Sequence, residues 1–107
     1  MVLVSKYLVP KGFRGITLFP FIILRHAEDK SNEVLMNHER IHLRQQVELL
    51  VLPFYLLYFL EWLVRFCYFH NSYVAYIMLS FEKEAYRNED DLSYLKKRKP
   101  YQFLRYL

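Results

Sequence analysis

The pattern of apolar and polar positions divides the chain into three regimes. From Val2 to Leu24 the apolar runs are short, rich in Val, Ile, Leu and Phe, and cut by turn residues. Val2 to Val9 is a mixed run, Pro10 to Gly15 is turn-rich and holds both glycines, and Ile16 to Leu24 is apolar with Pro20 inside it. This predicts a β-hairpin over residues 2–25. Its second run should be an edge strand or bulged, because proline has no N–H to give a central ladder. Ala27 to Asn32 is a polar loop, in which Ser31 or Asn32 can cap a following helix. From Glu33 the period changes. Leu35, His38, Ile41, His42, Gln45 and Leu49 recur at spacings of three and four, which is one helix face.

Leu49 to Phe69 is almost wholly apolar, with Glu61 and Arg65 as its only charges. Three placements fit it. The first is a buried core helix, kinked by Pro53. The second is a helix lying in a membrane surface, which suits Tyr55, Tyr58, Trp62 and Tyr68. The third is a span, for which 21 residues are long enough. The four-residue spacing of Glu61 and Arg65 pairs them on one helix face and weighs against the third. His70 to Ser72 reads as a loop. A last helix is expected from about Tyr73, or from Ser80 as its N-cap, to about Lys97, with Pro100 as the stop. The reading is therefore one α+β domain, 1–107, with a hairpin at 2–25, two helices over 33–68 and a glutamate-bearing helix over 73–97.

Composition narrows this picture. At 54% hydrophobic and 19% aromatic residues the chain is not disordered. Its net charge of +4 gathers in Lys96-Lys97-Arg98-Lys99. That run reads as a solvated tail, or as a contact for anionic lipid. No nucleic-acid motif accompanies it, so no nucleic-acid partner is expected. The single cysteine, Cys67, allows no internal disulfide and reads as a buried small hydrophobe. The first residues lack the long apolar region of a signal peptide, so the expected place is the cytoplasm or the inner membrane, peripheral or integral.

The chemistry lies in His38-Glu39-Arg40-Ile41-His42, an HExxH sequence within the helical stretch. Positions i and i+4 share a helix face, so His38 and His42 can offer two imidazoles to one metal ion. Glu39 is then placed as general base. Catalytic zinc takes three protein ligands, so a third is needed. His26 and His70 are isolated in or near loops. Ser80 to Glu89 is helical by pattern and carries three glutamates, the first of them Glu82, forty positions after His42.

HExxH followed by a glutamate helix resembles the gluzincin metallopeptidases. In their membrane-linked branches the second motif reads Glu-x-x-Ala-Asp, and Glu82-Lys83-Glu84-Ala85-Tyr86 matches it at Glu82 and Ala85. The Phe81-Glu82-x-Glu84-Ala85-Tyr86 segment is also similar to that of a group of small HExxH proteins of Bacteroidetes-type bacteria. The gluzincin resemblance covers about residues 33–90. It implies zinc held by His38, His42 and Glu82, with Glu39 as base. Tyr86 replaces the family's aspartate, which orients a zinc-bound histidine. That leaves Glu89 or another carboxylate for the orienting role, and Tyr86 as a candidate oxyanion donor. Glu84 paired with Asn88 is a second possible frame. The expected function is zinc-dependent peptide-bond hydrolysis, with a peptide or protein substrate joining the edge of the Ile16–Leu24 strand. The alternative is a non-catalytic, membrane-associated relative that serves binding or assembly at a membrane surface or in a protein complex.

Overall fold

The computed structural model describes residues 1–107 and is α+β. Strands β1 (Val2–Val4), β2 (Gly15–Leu18) and β3 (Phe21–Leu24) precede helices α1 (Glu33–Glu48), α2 (Leu52–Phe69), α3 (Ser72–Ile77), α4 (Ser80–Asn88) and α5 (Tyr94–Lys97). The hairpin is β2–β3, with Thr17 opposite Ile22 and Leu18 opposite Phe21. Its turn is Phe19-Pro20. Pro20 therefore divides the Ile16–Leu24 run into two strands instead of lying within one, and the turn-rich Pro10–Gly15 segment is the crossover before them. It allows β1 to pair parallel with β3. The sheet order β1-β3-β2 leaves β2 as an edge.

α1 starts where expected. The side chain of Asn32 accepts a hydrogen bond from the N–H of Leu35 at 3.1 Å, which makes Asn32 the cap. One flank of α1 meets β2 and β3, and another meets α4. Burial is accordingly broad, from Met36 to Glu39 and again at Ile41, His42, Gln45 and Gln46. Its contents are unusual. Twelve of the 25 buried residues are polar or charged, in a chain where such residues normally face water. The apolar core is split into three small groups around them. Ile22, Leu24 and Met36 lie under the sheet, Ile41, Ala85 and Tyr94 join α1 to α4, and Phe54, Phe81 and Phe103 join α2 to α4.

Four expectations are corrected. α2 is not a buried, kinked helix, because of its 18 residues only Phe54 is buried. Pro53 falls in the first turn, where the N–H it lacks has no helical acceptor, so it starts the helix and bends nothing. By length and hydropathy α2 is also the one helix that could cross a membrane. Cys67, on its outer side, is exposed. The single helix over 73–97 is three short ones, broken at Met78–Leu79 and at Glu89–Ser93. Ser80 is the first helical residue of α4 and not its cap. Glu61 of α2 does that work, with Oε2 accepting from Ser80 N–H at 2.8 Å and Oε1 from the Ser80 hydroxyl at 2.7 Å.

Candidate metal centre

The helical spacing of the HExxH residues turns His38 and His42 toward the same side of α1, and their Nε2 atoms stand 3.2 Å apart. α4 brings Glu82 against them. Glu82 Oε1 lies 3.1 Å from His42 Nε2 and 3.5 Å from His38 Nε2. All three side chains are buried. Ligands at 2.0–2.1 Å from a tetrahedral zinc stand about 3.3 Å from one another. The three measured separations bracket that value. The three donors are thus spaced as ligands of one metal ion would be, and two imidazoles with one carboxylate are ligand types that zinc accepts.

Two of the three, His42 and Glu82, are held from behind by hydrogen bonds. His42 Nδ1 faces Gln45 Oε1 at 2.9 Å. The Gln45 amide is fixed in turn, since its NH2 donates to Phe81 O at 3.1 Å and to Glu84 Oε1 at 2.8 Å. Its oxygen is left to accept, so Nδ1 of His42 carries a proton, and Nε2 is the nitrogen turned toward His38 and Glu82. The Tyr58 hydroxyl donates to Glu82 Oε2 at 2.6 Å, which leaves Oε1 for an ion. Glu89 Oε2 comes within 3.3 Å of His38 Nδ1, although out of line for a hydrogen bond, and Nδ1 has no other partner. Glu89 is thus the carboxylate that stands beside Nδ1 of His38.

Without an ion the three groups form a charged cluster. Burial works against the charged form of His42, but Glu82 and then Glu39 outweigh it and raise its pKa to about 9. Burial likewise opposes the Glu82 carboxylate, and the two histidines overcome it and hold it well below the usual carboxylate range. A proton on His42 thus takes part of the place that a cation would fill.

Glu39 is buried beside the pair, with ligand-type atoms of His38, Glu39 and His42 within 4.8 Å of one another. The Thr17 hydroxyl of β2 donates to its Oε2 at 2.9 Å. Gly15 lets the strand come this close. A Cβ there would stand 3.1 Å from Leu24 Cδ2, 3.2 Å from Ile23 O and 3.3 Å from Glu39 Oε1. The Gln46 side chain ties the same strand to α1. Its NH2 donates to Thr17 O at 2.8 Å and its oxygen accepts from Phe19 N–H at 2.9 Å. Gln45 and Gln46 are thus buried network residues and do not lie on the helix surface.

A cleft of about 280 Å³ opens over His38, Glu39, His42 and Glu82, walled by β2 on one side and by Phe54, Tyr55 and Tyr58 of α2 on another. Tyr86 does not line it. Its ring packs edge-on against His38, with centroids 4.4 Å apart, and its hydroxyl meets that of Tyr76 at 3.0 Å. Tyr76 is the tyrosine of α3 that reaches the cleft, and burial followed by the nearby Glu82 raises its pKa, so it stays protonated. Glu84 and Asn88 do not form a second frame. Glu84 is fully buried away from the histidines, held by Gln45, Tyr94 and Arg98. Asn88 donates to Glu84 O and to the Tyr106 hydroxyl. His26 and His70 are exposed, as their loop positions predict.

Thr17, Gln45, Tyr58 and Tyr76 were not singled out by sequence. Gln45 lies three residues after His42 on the same helical stripe, which was the one local signal available. The others come from separate elements, with no spacing to mark them. No protein-family model, curated protein or solved structure matches the chain.

Proposed function

We propose that the chain is a small zinc-dependent hydrolase of peptide bonds, with zinc held by His38, His42 and Glu82 and with Glu39 as general base. One observation carries this reading. Three buried donor atoms from two helices stand at the mutual spacing of zinc ligands, with a carboxylate beside them. Zinc bound there supplies a Lewis acid that lowers the pKa of a water toward about 7 and polarises a carbonyl.

The rest falls to the chain's own residues. Glu39 takes a proton from the attacking water and returns it to the leaving amine, a role contributing about 10²–10⁴-fold. Thr17 holds the Glu39 carboxylate in one orientation for both transfers. The outward groups of β2 offer an extended peptide a strand to pair with, alongside the cleft. Tyr76, neutral and lining that cleft, is the donor available to a developing oxyanion.

The test combines metal analysis with peptide digestion. Purified protein should carry about one zinc per chain. Glu39→Gln should keep that zinc and lose about 10²-fold or more of the cleavage of a mixed peptide library. Protein that neither holds zinc nor is stabilised by it ends the metal reading. Zinc retained by two equally inert proteins ends the peptidase reading alone.

A further inference from the structure

We propose that α2 docks the protein on a lipid bilayer, lying in the plane of the membrane surface with its outer arc among the acyl chains. The observation is the distribution of side chains around the helix. At about 100° per residue, the exposed positions 52, 53, 56, 57, 59, 60, 63, 64, 66, 67 and 68 fill a continuous arc of about 200°. That arc contains no charge and no amide, and its only polar group is the Tyr68 hydroxyl. The remaining arc faces the protein and holds both charges of the helix. Arg65 Nη2 lies 3.4 Å from Glu61 Oε2, and Glu61 also caps α4.

Water is a poor solvent for such a surface, which runs about 27 Å along the helix. A second copy of the chain covers it less well than lipid does. Helix pairing buries a seam of two positions in seven, far narrower than this arc, and would leave the flanking leucines wet. Acyl chains solvate the whole arc at once. The net charge of +4 adds attraction to anionic headgroups.

In-plane placement follows from how α2 is fastened. Phe54 packs on Phe81, Tyr58 bonds Glu82, Glu61 bonds Ser80 and Trp62 donates to Ser72 O. The domain therefore accompanies α2 along most of its length. A spanning α2 would draw α1 and α4 into the hydrocarbon with the exposed charges of Arg40, Arg44 and Arg87. Lying flat, the arc is submerged and these charges stay in water.

The experiment uses flotation with vesicles of phosphatidylethanolamine and phosphatidylglycerol, then depth measurement. The whole chain should float with the vesicles. The double variant Leu56→Glu, Val64→Glu should lose about tenfold or more of that binding while unfolding at a similar temperature, since neither residue is buried. A spin label on Cys67, and one on Leu56→Cys in a Cys67→Ser background, should report the same depth, on the order of 5–10 Å. Depths differing by about 16 Å would mean a tilted span and would overturn the in-plane placement. Wild type that stays off the vesicles, or a variant that floats equally well, overturns lipid docking. So does self-association without lipid that the double variant abolishes. None of these readouts depends on zinc or on cleavage, so this proposal and the hydrolase reading fail separately.

Discussion

Gln45 decides which nitrogen of His42 is offered to an ion. Its carboxamide oxygen can face His42 Nδ1 only while its NH2 is engaged by Phe81 O and Glu84 Oε1. Gln45→Met keeps the bulk of the side chain and removes both ends of that link. Zinc affinity should fall about 10–100-fold, read by competition with a chelator of known affinity. Unchanged affinity would mean that His42 is oriented by packing alone. The three candidate ligands were legible as a group in the sequence, because HExxH spacing turns two of them to one face and a glutamate helix offers the third. Of their partners only Glu89 was marked, by the family pattern. Thr17 and Tyr58 reach the centre from β2 and α2, and only tertiary packing makes them neighbours.

Single elements show where local reading runs out. The boundaries of α1 follow from its cap and its period. α2 was left with three placements, core, membrane surface and span, because apolar content alone does not say which solvent a helix faces. The Lys96–Lys99 run was read as a solvated tail, and three of its members are exposed, but the Arg98 side chain is fully buried. It bonds Glu84 on α4 and, at 2.6 Å and 3.1 Å, Glu48 at the end of α1. α5 is thereby pinned to both helices that carry the candidate ligands. Arg98→Met leaves Glu84 as a buried carboxylate without its cation. Breaking a buried pair from one side costs about 3–5 kcal/mol, and urea unfolding should show a loss of that size. A loss below about 1 kcal/mol would mean that water replaces the guanidinium.

At the scale of the molecule, polar groups occupy the centre where a domain this small usually places hydrocarbon. Its stability should therefore depend on the charge held there. In metal-free protein the folded-state pKa of His42, about 9, exceeds its ordinary 6.5. Its contribution is full below pH 6.5 and is lost as pH rises through 9. Glu82, lowered from 4.5, contributes above pH 4.5 and loses that contribution as pH falls. Metal-free protein should be steadiest between those limits and weaken toward pH 9. Under the proposed zinc reading the ion takes the place of the His42 proton, so its effect should grow over the same rise. At a free zinc concentration of 100 Kd it contributes about 2.7 kcal/mol, or about 10–20 °C in melting temperature. Melting curves with zinc and with a chelator at pH 6.5, 7.5 and 8.5 check both statements. A gap that narrows with pH would contradict the proton competition.

The Gln46 clamp bears on how this protein stays separate from its copies. A bare sheet edge invites another chain to extend the sheet, which is a common route to aggregation. Here one side-chain amide imitates the next strand, donating to Thr17 O and accepting from Phe19 N–H. The last third of the β2 edge is therefore already paired. What stays open beside Glu39 is only the short stretch from Gly15 to the N–H of Thr17. That is enough to grip a few residues of an extended peptide, and too little to seed a sheet between molecules.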